Sequence, residues 1–125
     1  MRHLAIALVA AALLVACSDP HEKLMRELDD QSPVVRAGAV RSLAQLGDDE
    51  AYTLVSGSLR DPSAVVRIAA VKALARFEQR DTTAALIRAS RDRDAEVRAA
   101  AVDALATQKG DRVESTLIGM LLKGE

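Results

Sequence analysis

Three pairs of oppositely charged residues recur along this sequence at a constant interval. Each pair is an aspartate with an arginine six residues later, and successive pairs are 31 residues apart. The members are Asp30 with Arg36, Asp61 with Arg67, and Asp92 with Arg98. A carboxylate beside a guanidinium could transfer a proton or hold a phosphate group. A catalytic group is needed once, however, and this pair occurs three times. The sequence therefore favours a structural ladder, in which each aspartate bonds the arginine or the helix start of its own or the adjacent repeat.

The other candidate for chemistry is the His21-Glu22 pair, which could contribute to a metal site. The sequence has only one further histidine, His3, which lies in the leader. One histidine with scattered carboxylates makes a poor metal site, so we expect a solvated helix start here. No glycine-rich phosphate loop occurs. The sequence predicts no catalytic, metal-binding or cofactor-binding residue, and no enzymatic activity.

A single cysteine, Cys17, follows an apolar leader. Arg2 and His3 precede an unbroken apolar run of 13 residues from position 4 to position 16. Such a run is shorter than the roughly 20 residues that span a bilayer, and it has the length of a signal peptide's apolar region. The leader ends in LVAC at positions 14–17, which resembles the lipobox of bacterial lipoproteins. In that motif a small residue precedes a cysteine whose thiol receives a diacylglyceryl group.

This resemblance implies a protein tethered by lipid to the bacterial cell envelope. Residues 1–16 would be a signal peptide that is removed, and 17–19 a lipidated N-terminus and short tether. Two or more acyl chains anchor a protein stably. Ser18 replaces the aspartate that often retains such proteins at the inner membrane, so we expect a periplasm-facing position, at the outer membrane rather than the inner one. The alternative is an ordinary secretory signal or a short anchor with a buried cysteine.

Apolar residues at helical spacing flank each ladder aspartate. The stripe after Asp61 consists of Val66, Ala70, Ala73, Leu74 and Phe77. This periodicity predicts inner helices at 33–46, 64–77 and 95–107, and outer helices at 20–30, 49–60, 81–91 and 112–123. Pro33 suits a first helical position, Gly47 and Gly110 suit helix ends, and Asp19 to Glu22 have the pattern of a capping box.

The repeated residues resemble HEAT repeats, in particular the short bacterial kind also found in phycocyanobilin lyases. The resemblance rests on the three aspartates, on the Val-Arg pairs at 35–36, 66–67 and 97–98, and on the alanine four residues after each valine. It covers residues 20–123 and implies an all-α fold. We expect a short right-handed α-solenoid of stacked antiparallel helix pairs, with about 3.5 repeats of 31 residues.

The composition of the chain argues against nucleic-acid binding. With a net charge of −1, the chain lacks the basic field that nucleic acids require. We therefore predict a scaffold or adaptor that binds another protein, of unknown identity. The alternative is a lyase-type enzyme or enzyme accessory, although one Phe, one Tyr and no Trp leave little aromatic lining for a tetrapyrrole.

Two surfaces are candidates for contacting that partner. The exposed positions of the inner helices include Arg41, Lys72 and Arg76, which form a basic strip that could hold an acidic protein segment or an anionic polymer. The alternative is an ordinary solvated face. The helix predicted at 112–123 carries more apolar residues than one buried stripe needs. Met120 and Leu122 would then point to solvent or to an edge, where they could support self-association or hold a partner. The alternative is that the helix rotates or frays enough to bury them.

Overall fold

The structure is a computed structural model that describes residues 18–78, 80–108 and 122. In those residues the regular elements are helices. They are α1 Pro20–Leu28, α2 Pro33–Leu46, α3 Asp49–Gly57, α4 Ala64–Leu74, α5 Thr83–Ala89 and α6 Ala95–Thr107. A 3-10 turn, Ser58–Arg60, extends α3. Among these described helices none is long and apolar enough to cross a membrane.

The helices form two layers of stacked hairpins. The inner layer consists of α2, α4 and α6, in which α4 packs against both of its neighbours. The outer layer consists of α1, α3 and α5, each of which packs against the inner helix that follows it. The predicted all-α fold of stacked helix pairs is therefore confirmed.

Small apolar side chains allow the two layers to approach closely. Ala39, Ala70 and Ala101 occupy equivalent positions in the three inner helices, and all three are 0% exposed. Val66 and Val97 are also fully buried, whereas the equivalent Val35 is 38% exposed. Helices α4 and α6 each pack against a preceding inner helix, whereas no described inner helix precedes α2.

Two inner helices have the predicted bounds, and the third ends early. Helix α2 ends at Gly47, which has a φ of 67° and so adopts the left-handed conformation that favours glycine. Glu78 stands at the equivalent place after α4, which ends at Leu74 rather than at 77. There the chain tightens into i→i−3 hydrogen bonds, including one from Phe77 N to Leu74 O at 3.1 Å.

The predicted capping box at the start of α1 is only half present. Asp19 caps the helix by accepting a hydrogen bond from His21 N at 2.9 Å, and Pro20 is the first helical residue. The Glu22 side chain does not return to the cap. It instead accepts a bond from Arg26 Nη1, at 3.4 Å one turn later.

Several predictions fall on residues outside those that the structure describes. They are the signal peptide at 1–16, the lipidation site Cys17, the helix end at Gly110, most of the helix at 112–123, and Met120. Leu122 is described and is 82% exposed. The division of the chain into 1–16, 17–19 and 20–123 stays a prediction.

Candidate functional site

The structure joins each ladder arginine to the aspartate of the next repeat. Arg36 donates from Nε to Asp61 Oδ2 at 2.9 Å and from Nη2 to Asp61 Oδ1 at 3.0 Å. Arg67 makes the same two contacts with Asp92, at 3.0 and 3.1 Å. Both pairs are bidentate and largely shielded from water, since the Arg67 and Asp92 side chains are 6% and 14% exposed. Paired donors in this planar arrangement fix the offset between neighbouring repeats.

The third guanidinium nitrogen ties each arginine to its own repeat. Arg67 Nη1 donates to the backbone oxygens of Asp61 and Pro62, at 2.8 and 3.1 Å. Arg36 makes equivalent bonds to Asp30 and Gln31, and Arg98 makes them to Asp92 and Arg93. Each arginine therefore closes the loop that precedes its own helix, which gives this group a structural role.

The ladder aspartates also hold the start of the following helix. Oδ1 of each accepts a hydrogen bond from the backbone N–H two residues later, at 2.8 to 2.9 Å. Partial burial by itself would raise the pKa of Asp61, but the hydrogen bonds from Arg36 and from Ser63 N hold that pKa below its ordinary value. At Asp92, burial is likewise outweighed by bonds from Asp94 N and Arg67, which lower the pKa of the carboxyl. Both aspartates are therefore charged near neutral pH.

The two ends of the ladder differ from its middle. In the described residues neither the Asp30 carboxylate nor the Arg98 guanidinium has an ion-pair partner, and both residues are exposed. The sequence analysis predicted the same structural role for all three pairs. In the structure Arg36 and Arg67 each link two repeats, whereas Arg98 closes only its own loop.

His21 is not solvated, contrary to the prediction for this helix start. Its side chain is 13% exposed and lies between two carboxylates. Nδ1 is 2.9 Å from Asp19 Oδ1, and Nε2 is 2.9 Å from Asp48 Oδ2. The hydrogen bonds to Asp48 and to Asp19 raise the pKa of His21 to about 9, so the ring is a cation that ties α1 to the start of α3. Asp48 is 27 residues from His21 and outside the repeat spacing, so no sequence signal pointed to it.

The basic strip lies on the exposed side of the inner layer. Arg41 and Lys72 occupy equivalent positions in α2 and α4, and Arg76 lies one turn beyond Lys72. All three are exposed, and within the described part of the chain none has a carboxylate partner. Asp103 holds the equivalent place in α6 and is also exposed. The charge on this surface is thus positive over the first two repeats and changes sign at the third.

Across residues 18–78 and 80–108, no three side chains of His, Cys, Asp or Glu come together as metal ligands. The aromatic rings contact each other, with Tyr52 and Phe77 centroids 5.5 Å apart at an interplanar angle of 74°. Arg80 lies over the Tyr52 ring at 5.1 Å. These contacts join α3 to the chain that follows α4.

The family model for HEAT repeats matches residues 21–106, and a second match covers 53–125. The two matches overlap, as expected for a motif that recurs within one chain. A comparison with curated proteins found no significant match.

Proposed function

Because this chain belongs to the HEAT-repeat family, we propose that it is a non-enzymatic scaffold that binds an acidic segment of another protein along its inner layer. HEAT repeats form the kind of fold that serves as a protein-interaction scaffold. The observation that carries the proposal is the basic strip. Arg41 and Lys72 lie on packed helices, and Arg76 lies in the turn that follows α4. All three are exposed and, among the described residues, unpaired, so a partner would meet them without breaking existing ion pairs.

The strip is tested by reversing its charge. Arg41→Glu with Lys72→Glu should weaken capture of an acidic partner from the native envelope fraction, and rising salt should weaken wild-type capture, because exposed charges are screened. The matched control is Lys23→Glu with Arg91→Glu, which changes the net charge equally at residues outside the strip. Equal capture by both variants would show that the strip does not hold the partner.

We propose further that Cys17 carries the lipid anchor and that the protein faces the periplasm, at the outer membrane rather than the inner one. The support is the charged start, the apolar length and the small residue before the cysteine. Cys17→Ser should leave an uncut precursor without palmitate label, because only a thiol accepts the diacylglyceryl group. Palmitate labelling of the variant, or a mature N-terminus elsewhere, would contradict the proposal.

Self-association through the C-terminal helix is a separate proposal. Its support in the structure is Leu122, which is 82% exposed. Sedimentation of the protein should show association that Met120→Glu with Leu122→Lys abolishes. A wild type that remains monomeric at high concentration would exclude this contact.

The alternative of a lyase-type activity is tested separately. A shift in the absorbance of free bilin on mixing with the protein would contradict the non-enzymatic proposal.

A further inference from the structure

A cleft of about 330 Å³ lies between the outer helices α3 and α5. Its walls include Leu59, Ala85 and Ala89, and its rim includes Arg60 and Arg88. This volume is at the lower end of the roughly 300–1,000 Å³ of small-molecule sites. The cleft thus combines short apolar walls with two guanidinium groups. It involves none of the residues of the basic strip.

The two arginines are available to a ligand. Both are exposed, and in the described chain neither has a carboxylate partner or a side-chain hydrogen bond. Asp92 also lines the cleft, but its carboxylate is already engaged by both donors of Arg67. The unneutralised charge at the cleft is therefore positive.

A third polar group at the cleft also lacks a partner. Ser56 Oγ is buried, and it forms no hydrogen bond within the described residues. A buried hydroxyl without a partner destabilises the protein, and an acceptor that reaches it removes part of that penalty. Ser56 lines the cleft, so a ligand bound there can supply the acceptor that this hydroxyl lacks.

The cleft lies at the junction between the outer helices α3 and α5, which we call the second junction. The equivalent place one repeat earlier, between α1 and α3, is the first junction and has different side chains. Moving back by 31 residues replaces Ser56 with Met25, Ala85 with Leu54, and Arg60 with Asp29. Leu54 packs against the core. The first junction therefore has two large apolar side chains and a carboxylate, whereas the second has two small side chains and a guanidinium.

We propose that this cleft binds a glutamate or aspartate side chain from an extended segment of a partner protein. The carboxylate lies between Arg60 and Arg88 and accepts from Ser56, and an adjacent small apolar side chain rests on Ala85 and Ala89. Charge-assisted bonds from arginine to a carboxylate supply most of the selectivity. The apolar walls favour a peptide over a nucleic acid, since no aromatic ring lines the cleft for base stacking.

The probe is a blocked tripeptide, acetyl-Ala-Glu-Leu-amide, titrated into the full chain while amide resonances are recorded by NMR. At peptide concentrations on the order of millimolar, we expect shifts at the amides of Ser56, Gly57 and Ala89. The isosteric acetyl-Ala-Gln-Leu-amide should bind roughly tenfold more weakly, because it lacks the charge. Equal binding of the two peptides, or no shift at the cleft, would overturn the proposal.

Two kinds of variant test the residues involved. Arg60→Asp, which restores the charge at the equivalent place of the first junction, should weaken binding roughly tenfold or more. Arg91→Asp makes the same charge change at an exposed residue outside the cleft and should bind as wild type does. Ser56→Met with Ala85→Leu fills the cleft with the side chains of the first junction and should abolish the shifts. If that double variant does not fold, Arg60→Asp decides the question alone.

The same titration separates this inference from the proposed function. Arg41→Glu with Lys72→Glu should leave the cleft shifts unchanged, since the basic strip is in the inner layer. If the glutamate peptide shifts resonances only along the inner layer, the cleft proposal is wrong and the basic strip gains support.

Discussion

At the scale of single residues, the same arginine has different consequences in successive repeats. Arg67 links two repeats through Asp92 and is 6% exposed, whereas the equivalent Arg98 is exposed and bonds only backbone oxygens of its own loop. Position in the repeat therefore does not determine how much a ladder residue stabilises the protein. How much the arginine stabilises the protein depends on whether an aspartate of the next repeat pairs with it, as Asp92 does with Arg67.

Arg67→Ala should lower stability far more than Arg98→Ala. Removing Arg67 leaves the Asp92 carboxylate partly buried and unpaired, which costs about 2–3 kcal/mol, less than the roughly 3–5 kcal/mol of a fully buried pair. Arg98→Ala should cost about 1 kcal/mol or less, because the two backbone hydrogen bonds that it removes are exposed. Thermal unfolding of the two variants checks this. Equal and small losses would show that the pair with Asp92 contributes little.

His21 predicts a specific dependence of stability on pH. Its folded pKa, about 9, is above the ordinary value of about 6.5. The stabilisation is therefore complete below about pH 6.5 and is lost as the pH rises through about 9. His21→Gln should remove this component, so that wild type and variant converge in melting temperature at high pH. A difference that stays constant from pH 6 to pH 10 would contradict the assignment.

The ladder carboxylates act at the opposite end of the pH scale. The pKa values of Asp61 and Asp92 are lowered, so their contribution is present above the unfolded value of about 3.9 and is lost as the pH falls through the folded values. Arg67→Ala should therefore differ least from wild type in acid. Stability measured from pH 2 to pH 7 tests this.

At the scale of the elements, the helix ends depend on which residue follows each stripe. Gly47 gives α2 a left-handed end, and α4 has glutamate at that place and ends three residues earlier than its stripe predicts. Phe77, just beyond this end, contacts Tyr52, with ring centroids 5.5 Å apart.

Two glycines provide a matched test of this element-level argument. Gly47→Ala should destabilise by about 1 kcal/mol, because its φ of 67° disfavours any side chain. Gly57→Ala should stabilise by roughly 0.5–1 kcal/mol, because Gly57 is helical and an added Cβ has no atom within 4 Å. Chemical denaturation of both variants measures the difference. The same sign for both would contradict the conformational argument.

At the scale of the whole molecule, stability should follow the order of the repeats. Helix α4 packs against inner helices on both sides, whereas α1 lies at one end of the described array. Repeat proteins behave as chains of nearest-neighbour contacts. A defect in the middle should therefore affect the whole array, and a defect at an end should remain local.

Leu74→Ala and Leu24→Ala test this coupling. Leu74 is 0% exposed in α4, and its truncation should cost about 2–5 kcal/mol and lower amide protection throughout the array. Leu24 is 8% exposed in α1, and its truncation should lower protection mainly in α1. Hydrogen exchange resolved by residue distinguishes the two patterns. Uniform loss in both variants would indicate one cooperative unit.

Much of the fold was predictable from the sequence because its determinants are local and repeated. The 31-residue interval, the apolar stripes and the cap residues predicted α2 and α6 with the bounds that the structure has. Each feature depends on residues within a few turns of one another, where helical spacing is a reliable guide. The sequence also identified Asp61 and Arg67 as structural residues, because a pair that recurs in every repeat is expected to stabilise the repeats and not to catalyse a reaction.

Only the tertiary structure decided which distant residues meet. The Nε and Nη2 atoms of Arg67 bond the carboxylate of Asp92, 25 residues ahead, because the offset between stacked repeats brings that carboxylate rather than the carboxylate of Asp61 to them. His21 reaches Asp48 and becomes a shielded cation, which the repeat spacing does not encode. The outer-layer cleft likewise exists where small side chains of two repeats face each other. These features depend on the distance and angle between helices, and packing of the whole array determines both.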